Sequence, residues 1–165
     1  TEEHLTREKA SSMYSEAMLI AKNYASGLYN NEIDLETVTT QLDMLSIYLK
    51  ADIRIINPSG RLIVDTSEAG IMDHEAIVDG FDPTFTGNSY YNIGNFFDQF
   101  NKEVLNVIVP ITSDYKVQGY VVIHTPMDDI QDSADSLMNI SYITLVILIL
   151  LIVLLIIAFK TDAII

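Results

Sequence analysis

The chain has 165 residues, no cysteine, and 23 acidic against 9 basic side chains, a formal charge of −14. Such a field repels nucleic acid and anionic membrane surfaces, which removes both from the set of expected partners. The absence of cysteine removes disulfide frameworks, thiolate chemistry and cysteine-based zinc sites.

Taken in order, residues 2–30 read as one long helix. Met13, Ala17, Ile20, Tyr24 and Leu28 recur at helical spacing on one stripe, with Arg7, Lys9, Glu16 and Lys22 elsewhere, and Asn30-Asn31 ends it. A second helix starts at Asp34, which can cap it, and buries Val38, Leu42, Leu45 and Leu49, with Lys50 at the favourable end of its dipole. These stripes serve core packing first, and a dimer contact through the first helix second.

The period then changes. Residues 52–57 (DIRIIN) and 61–66 (RLIVDT) are β-branched runs joined by Asn57-Pro58-Ser59-Gly60, a hairpin signal. Residues 68–100 keep no period and carry four glycines with His74, Tyr90, Tyr91, Phe96 and Phe97, so they read as a long excursion with one or two short helices. A third strand, 104–112, contains Pro110, the mark of an edge or a bulge. A fourth covers 118–125, closed by Pro126, and a helix over 127–139 follows. The order helix, helix, strand, strand, excursion, strand, strand, helix predicts an α+β domain with an antiparallel sheet and long helices on one side.

From Ser136 to Phe159 there is no charge, and Ile143–Phe159 is apolar at every position except Thr144. Twenty residues from Ile140 reach about 30 Å as a helix, the thickness of a bilayer core. Residues 140–159 are therefore expected to span lipid. Asp128, Asp129, Asp132 and Asp135 precede the span and Lys160 follows it, which puts residues 1–139 outside the cell and 160–165 at the start of a cytoplasmic segment. The first 139 residues carry the whole −14 and suit one domain, and the chain reads as a piece of a longer membrane protein. An extracytoplasmic domain without disulfides fits a bacterial cell membrane.

These features resemble the extracellular PAS-like sensor domain (Cache or PDC type) of bacterial sensor histidine kinases. The similarity rests on the long entry helix, the hairpin IRIINPSGRLIVDTS, the pair NVIVPITS and VQGYVVIHTPM, and the direct exit into a membrane helix. Asn57 stands where the family often has Asp. The resemblance implies a homodimer in which the present span is the second transmembrane helix. A stimulus outside would shift the helices and control autophosphorylation in cytoplasmic modules absent from these residues. The same module on a chemoreceptor or a cyclic-dinucleotide enzyme, and a membrane-anchored structural or adhesion ectodomain, are the alternatives.

Candidate chemistry follows from strand alternation. His124 shares a face with Tyr120 and Val122, and Arg54 shares one with Ile56, opposite Ile53 and Ile55. In the resembling fold the face away from the helices forms the ligand pocket, which Arg54, Tyr120 and His124 would line together with Tyr90 and Tyr91. A guanidinium there suits a small carboxylate or another anion; a partner protein is the other candidate stimulus. The plainer reading pairs Arg54 with a surface carboxylate and leaves His124 at a sheet edge. His4 reads as solvated. His74, among Asp73, Glu75 and Asp79, lacks the spacing of a calcium loop, so neither a metal nor another cofactor is expected. No nucleophile elbow, P-loop, metalloprotease or dinucleotide motif occurs, and no catalytic residue is expected within these 165 residues.

Overall fold

The computed structural model describes residues 2–67 and 76–164. The entry rod begins as α1 (Glu2–Ile20), passes through a π-helical segment (Ala21–Ala25) and ends as α2 (Ser26–Tyr29). Met13, Ala17 and Ile20 are buried against the sheet, as their spacing predicts, and Ala10 joins them. The wide turn then rotates the register. Ala21 and Ala25 take the buried positions, leaving Tyr24 and Leu28 half-buried. Four alanines on this stripe bring the rod close to the sheet.

Helix α3 (Leu35–Leu49) is capped as expected, Asp34 Oδ1 accepting from the Thr37 amide at 2.7 Å. Val38 and Leu42 are fully buried, Leu45 and Leu49 partly. Lys50 ends the helix in the left-handed region (φ 53°), a geometric role that its charge did not announce.

The sheet has five antiparallel strands, β1 (Asp52–Ile56), β2 (Leu62–Asp65), β3 (Tyr91–Gly94), β4 (Val104–Ser113) and β5 (Lys116–Pro126), in the order β2-β1-β5-β4-β3. Strand β3 lies inside the excursion, where no strand was expected, and residues 76–100 otherwise form turns rather than the expected short helices. In Tyr-Asn-Ile-Gly the Asn and Gly offset the strand preference of Tyr and Ile, and the segment pairs with Val104–Val107. Because β3 is so short, the second half of β4 pairs with no strand on that side among the described residues. Ile108 donates its amide to Tyr90 on that side, so Pro110, two residues on, presents its missing donor to the same edge. A bulge follows between Ile111 and Thr112. Both meanings of Pro110 thus hold.

Two apolar layers flank the sheet. Ile53, Ile55, Leu105, Val107, Val109, Val121 and Ile123 meet α1 and α3. On the other face Ile56, Leu62, Ile108 and Val122 meet Val78, Phe81, Phe85 and Phe96 of the excursion. From Pro126 the chain enters α4 (Met127–Ile164), one unbroken helix of 38 residues and about 57 Å. Its stretch Asn139–Asp162 contains an 18-residue window of mean hydropathy 3.4 and has no buried residue. By length and composition a helix of that kind could cross a membrane.

The hairpin between β1 and β2 fixes the excursion. Asn57 Oδ1 accepts from Ser59 and Arg61, and Gly60 sits at φ +93°. A Cβ on Gly60 would lie 2.9 Å from the Val78 carbonyl oxygen and 3.1 Å from Phe81 Cβ. Gly60→Ala is expected to destabilise the domain by about 2 kcal/mol or more through strain and clash together, seen as a lower thermal midpoint of the detergent-solubilised chain; an unchanged midpoint would show that the hairpin does not seat the excursion.

Candidate functional site

Strand β5 is the centre of the sheet, and the pleat sends its even-numbered residues to the excursion side. There His124 lies opposite Asp52 on β1 and Asn106 on β4, while Val122 lies opposite Arg54. Arg54, Tyr120 and His124 therefore share one face. His124 is 1% exposed and Arg54 5%, so His124 belongs to a central strand and not to an edge. The excursion roofs them: the Phe96 and Phe100 rings lie 4.5 and 4.8 Å from the His124 ring, and the Arg54 guanidinium lies 5.1 Å from the Phe100 centroid. Tyr120 packs on Phe81 at 5.9 Å.

Tyr90 and Tyr91 go elsewhere. Tyr91 pairs with Val107, whose side chain belongs to the helix-side core, and Tyr90 stacks on Tyr14 of α1 at 4.4 Å. The structure therefore groups three of the five expected pocket residues and sends the two tyrosines to the opposite layer, because the short strand β3 captures Tyr91. His4 is exposed, with Nε2 2.9 Å from Glu8 Oε1. His74 lies outside the described residues.

Asn106, which the sequence analysis passed over, organises the cluster. Its Nδ2 donates to Asn92 Oδ1 (3.0 Å) and reaches the carbonyls of Gly94 and Val104 (both 3.3 Å), and its Oδ1 lies 2.6 Å from His124 Nδ1. An asparagine inside the apolar run VLNVIVPIT was its signal. Arg54 Nε stands 3.2 Å from Asp65 Oδ2, an ion pair whose angle falls short of a hydrogen bond. Asp65 Oδ1 accepts from the Ser67 amide and hydroxyl. The plainer expectation, Arg54 paired with a surface carboxylate, is thus corrected: the partner is a carboxylate, but the pair is buried. Even so, Arg54 Nε and Nη1 and His124 Nε2 are buried with no hydrogen-bond partner among the described residues. Unmet buried donors and acceptors are costly, which makes this the site with most to gain from a polar guest.

The roof is strained. Phe96, Phe97 and Asp98 hold φ of 46°, 52° and 60°, three consecutive left-handed residues of which two are aromatic. Each costs roughly 1–2 kcal/mol against a right-handed backbone. The turn is tied by Asn95 Nδ2 donating to Asp98 Oδ1 at 2.8 Å and by the Phe100 amide donating to the Asn95 carbonyl.

No protein-family model and no curated protein matches the chain. Among solved structures it is similar to the sensor domain of the V. cholerae histidine kinase DctB, at 17% identity and a TM-score of 0.52, covering 79% of this chain and 57% of that one. It is also similar to the ligand-binding domain of the Campylobacter jejuni chemoreceptor Tlp3 in complex with 4-methylisoleucine, at 16% identity and a TM-score of 0.54, covering 78% and 58%. The chain thus spans less than two thirds of the length of these domains. At such identities the likeness is one of fold.

Burial, with help from the Arg54 charge, pushes the His124 imidazole well below its ordinary 6.5. The unfolded chain therefore binds the proton first, and the stability due to neutral His124 is present above pH 6.5 and lost as pH falls below it, at up to about 1.4 kcal/mol per pH unit. The Asp52 carboxyl, raised chiefly by burial, contributes with the opposite sign above 3.8. The thermal midpoint is expected to drop as pH is lowered from 7 to 5.5 and the slope to flatten in His124→Gln; equal slopes would show that His124 does not carry it.

Proposed function

With the PAS-like sensor fold as premise, we propose that residues 1–139 are the extracytoplasmic sensing domain of a bacterial membrane-bound sensor histidine kinase, acting as a homodimer. Helix α4 then carries the signal through the bilayer to a cytoplasmic segment beginning at residue 160. The observation that supports this most is continuity. His124 stands on β5, and only Thr125 and Pro126 separate it from α4, which runs without a break into the apolar span. Helix α1 packs on α4 as well as on β4 and β5, so a change beneath the roof can move one membrane-directed helix against the other. A guest drives such a change only if it binds the two arrangements unequally.

The guest proposed is a small anion, a carboxylate above all, at Arg54 and His124. The guanidinium has an unpartnered nitrogen in a buried setting, where a charge-assisted hydrogen bond is strongest. The Tlp3 domain is a complex with 4-methylisoleucine, which carries such a group. That protein is a chemoreceptor, and the same module on a chemoreceptor output is the second reading. The residues after Ile165 separate the two: a helix with a phosphoacceptor histidine favours the kinase.

A melting screen of the chain in lipid nanodiscs against small carboxylates tests the anion site. At least one is expected to raise the midpoint, by mass action, and the charge-neutral double variant Arg54→Gln/Asp65→Asn is expected to fold and lose the shift. The pair is changed together because removing Arg54 alone would strand a buried carboxylate, at about 3–5 kcal/mol. A full shift in the double variant would remove Arg54 from the site.

A further inference from the structure

The hydrogen-bond network beneath the roof specifies more than an anion. Asn106 Nδ2 lies within 3.3 Å of three oxygens that only accept: Asn92 Oδ1 and the carbonyls of Gly94 and Val104. The amide can face them only with its nitrogen. Its Oδ1 is thereby committed to His124, and at 2.6 Å the His124 Nδ1 must supply the proton. The ring is walled by Phe96 and Phe100, with the Arg54 cation over the same Phe100 ring, 5.1 Å from its centroid. A second proton on the imidazole would place two cations in one apolar compartment, so the neutral ring holds. Of the described carboxylates on the neighbouring strands, Asp65 on β2 is paired with Arg54, and Asp52, opposite His124 on β1, is only half-buried. Among the described residues of the excursion, those whose rings touch His124 are phenylalanines.

His124 Nε2 is consequently a bare acceptor, buried and with no hydrogen-bond partner among the described residues. Nη1 of Arg54, whose guanidinium lies over the same Phe100 ring, is a buried donor equally unmet among them. One small guest serving both must accept at one end and donate at the other. The adjacent guanidinium disfavours a second positive charge, so the donor is neutral. We propose that the site takes a 2-hydroxycarboxylate, its carboxylate on Arg54 and its hydroxyl donating to His124 Nε2, with Phe100 displaced on entry. This rests on the reading of Arg54 and His124 as the ligand site, and adds that the guest is selected for a donor.

The test uses the chain in nanodiscs and two series of probes, each of one skeleton and all monoanions but for the zwitterionic 2-amino acid: lactate, pyruvate and propanoate, and the 2-hydroxy, 2-oxo, 2-amino and unsubstituted 4-methylpentanoates. Nitrogen-15 NMR of labelled histidine, with His124 assigned by its loss in His124→Gln, is expected to show Nδ1 protonated and Nε2 bare. Titration is expected to show the hydroxy acid of at least one series binding about tenfold or more tightly than its oxo partner, the cost of leaving a buried acceptor unmet. In His124→Gln, whose amide can donate as well as accept, that preference is expected to collapse. A protonated Nε2, an oxo or unsubstituted acid binding as tightly as the hydroxy acid, or a 2-amino acid binding more tightly than it, overturns the proposal while leaving the anion site standing. Failure of every probe to bind overturns the anion site and the proposal with it.

Discussion

Everything in this molecule is arranged about β5. It pairs with β4 along most of its length on one side and with β1 from Tyr120 to His124 on the other, and from Val121 to Thr125 every residue is buried. A strand with neighbours on both edges and packing on both faces cannot shift alone. Any change in what covers it must either be absorbed by its neighbours or be passed along its axis. The chain offers the second route, since Pro126 closes the strand and Met127 opens a helix that does not end before the far side of the apolar stretch.

The two faces of that strand do different work. Val121 and Ile123 meet the alanine-rich face of α1, a close apolar contact that fixes the rod to the sheet. Val122 and His124 meet the excursion, where polar groups are buried without full satisfaction and the roof is built on a left-handed turn. One face is packed for stability, and the other stores strain and unmet hydrogen bonds, the usual state of a surface whose function needs it to change. Lys102, just past the roof, donates to Asp128 in the first turn of α4 at 2.8 Å. The roof is thus tied to the helix across space as well as through the strand.

Much of this was legible in the residues. Strand period two placed Arg54, Tyr120 and His124 on a common face, because side-chain alternation is fixed by the pleat and needs no tertiary knowledge. The Asp34 cap, the Asn-Pro-Ser-Gly hairpin and the membrane helix were readable for the same reason: each is a local signal with a local cause. The rest depended on distant contacts. Strand β3 exists because β4 pairs with it, and that pairing carries Tyr91 into the helix-side layer with Tyr90 beside it. Phe96 and Phe100 carry no periodic mark, so nothing near them in sequence announces that they lie on His124. The role of Asn106 becomes visible only when three oxygens from two strands converge on its amide nitrogen.

The central claim is that a change at His124 moves α4 relative to α1. Two cysteines introduced into this cysteine-free chain, at exposed Glu8 on α1 and Asn139 on α4, can carry spin labels for distance measurement in nanodiscs. With a ligand that raises the melting point, the interlabel distance distribution is expected to shift, and to return to its ligand-free form in the Arg54→Gln/Asp65→Asn background. Identical distributions with and without saturating ligand would contradict the account.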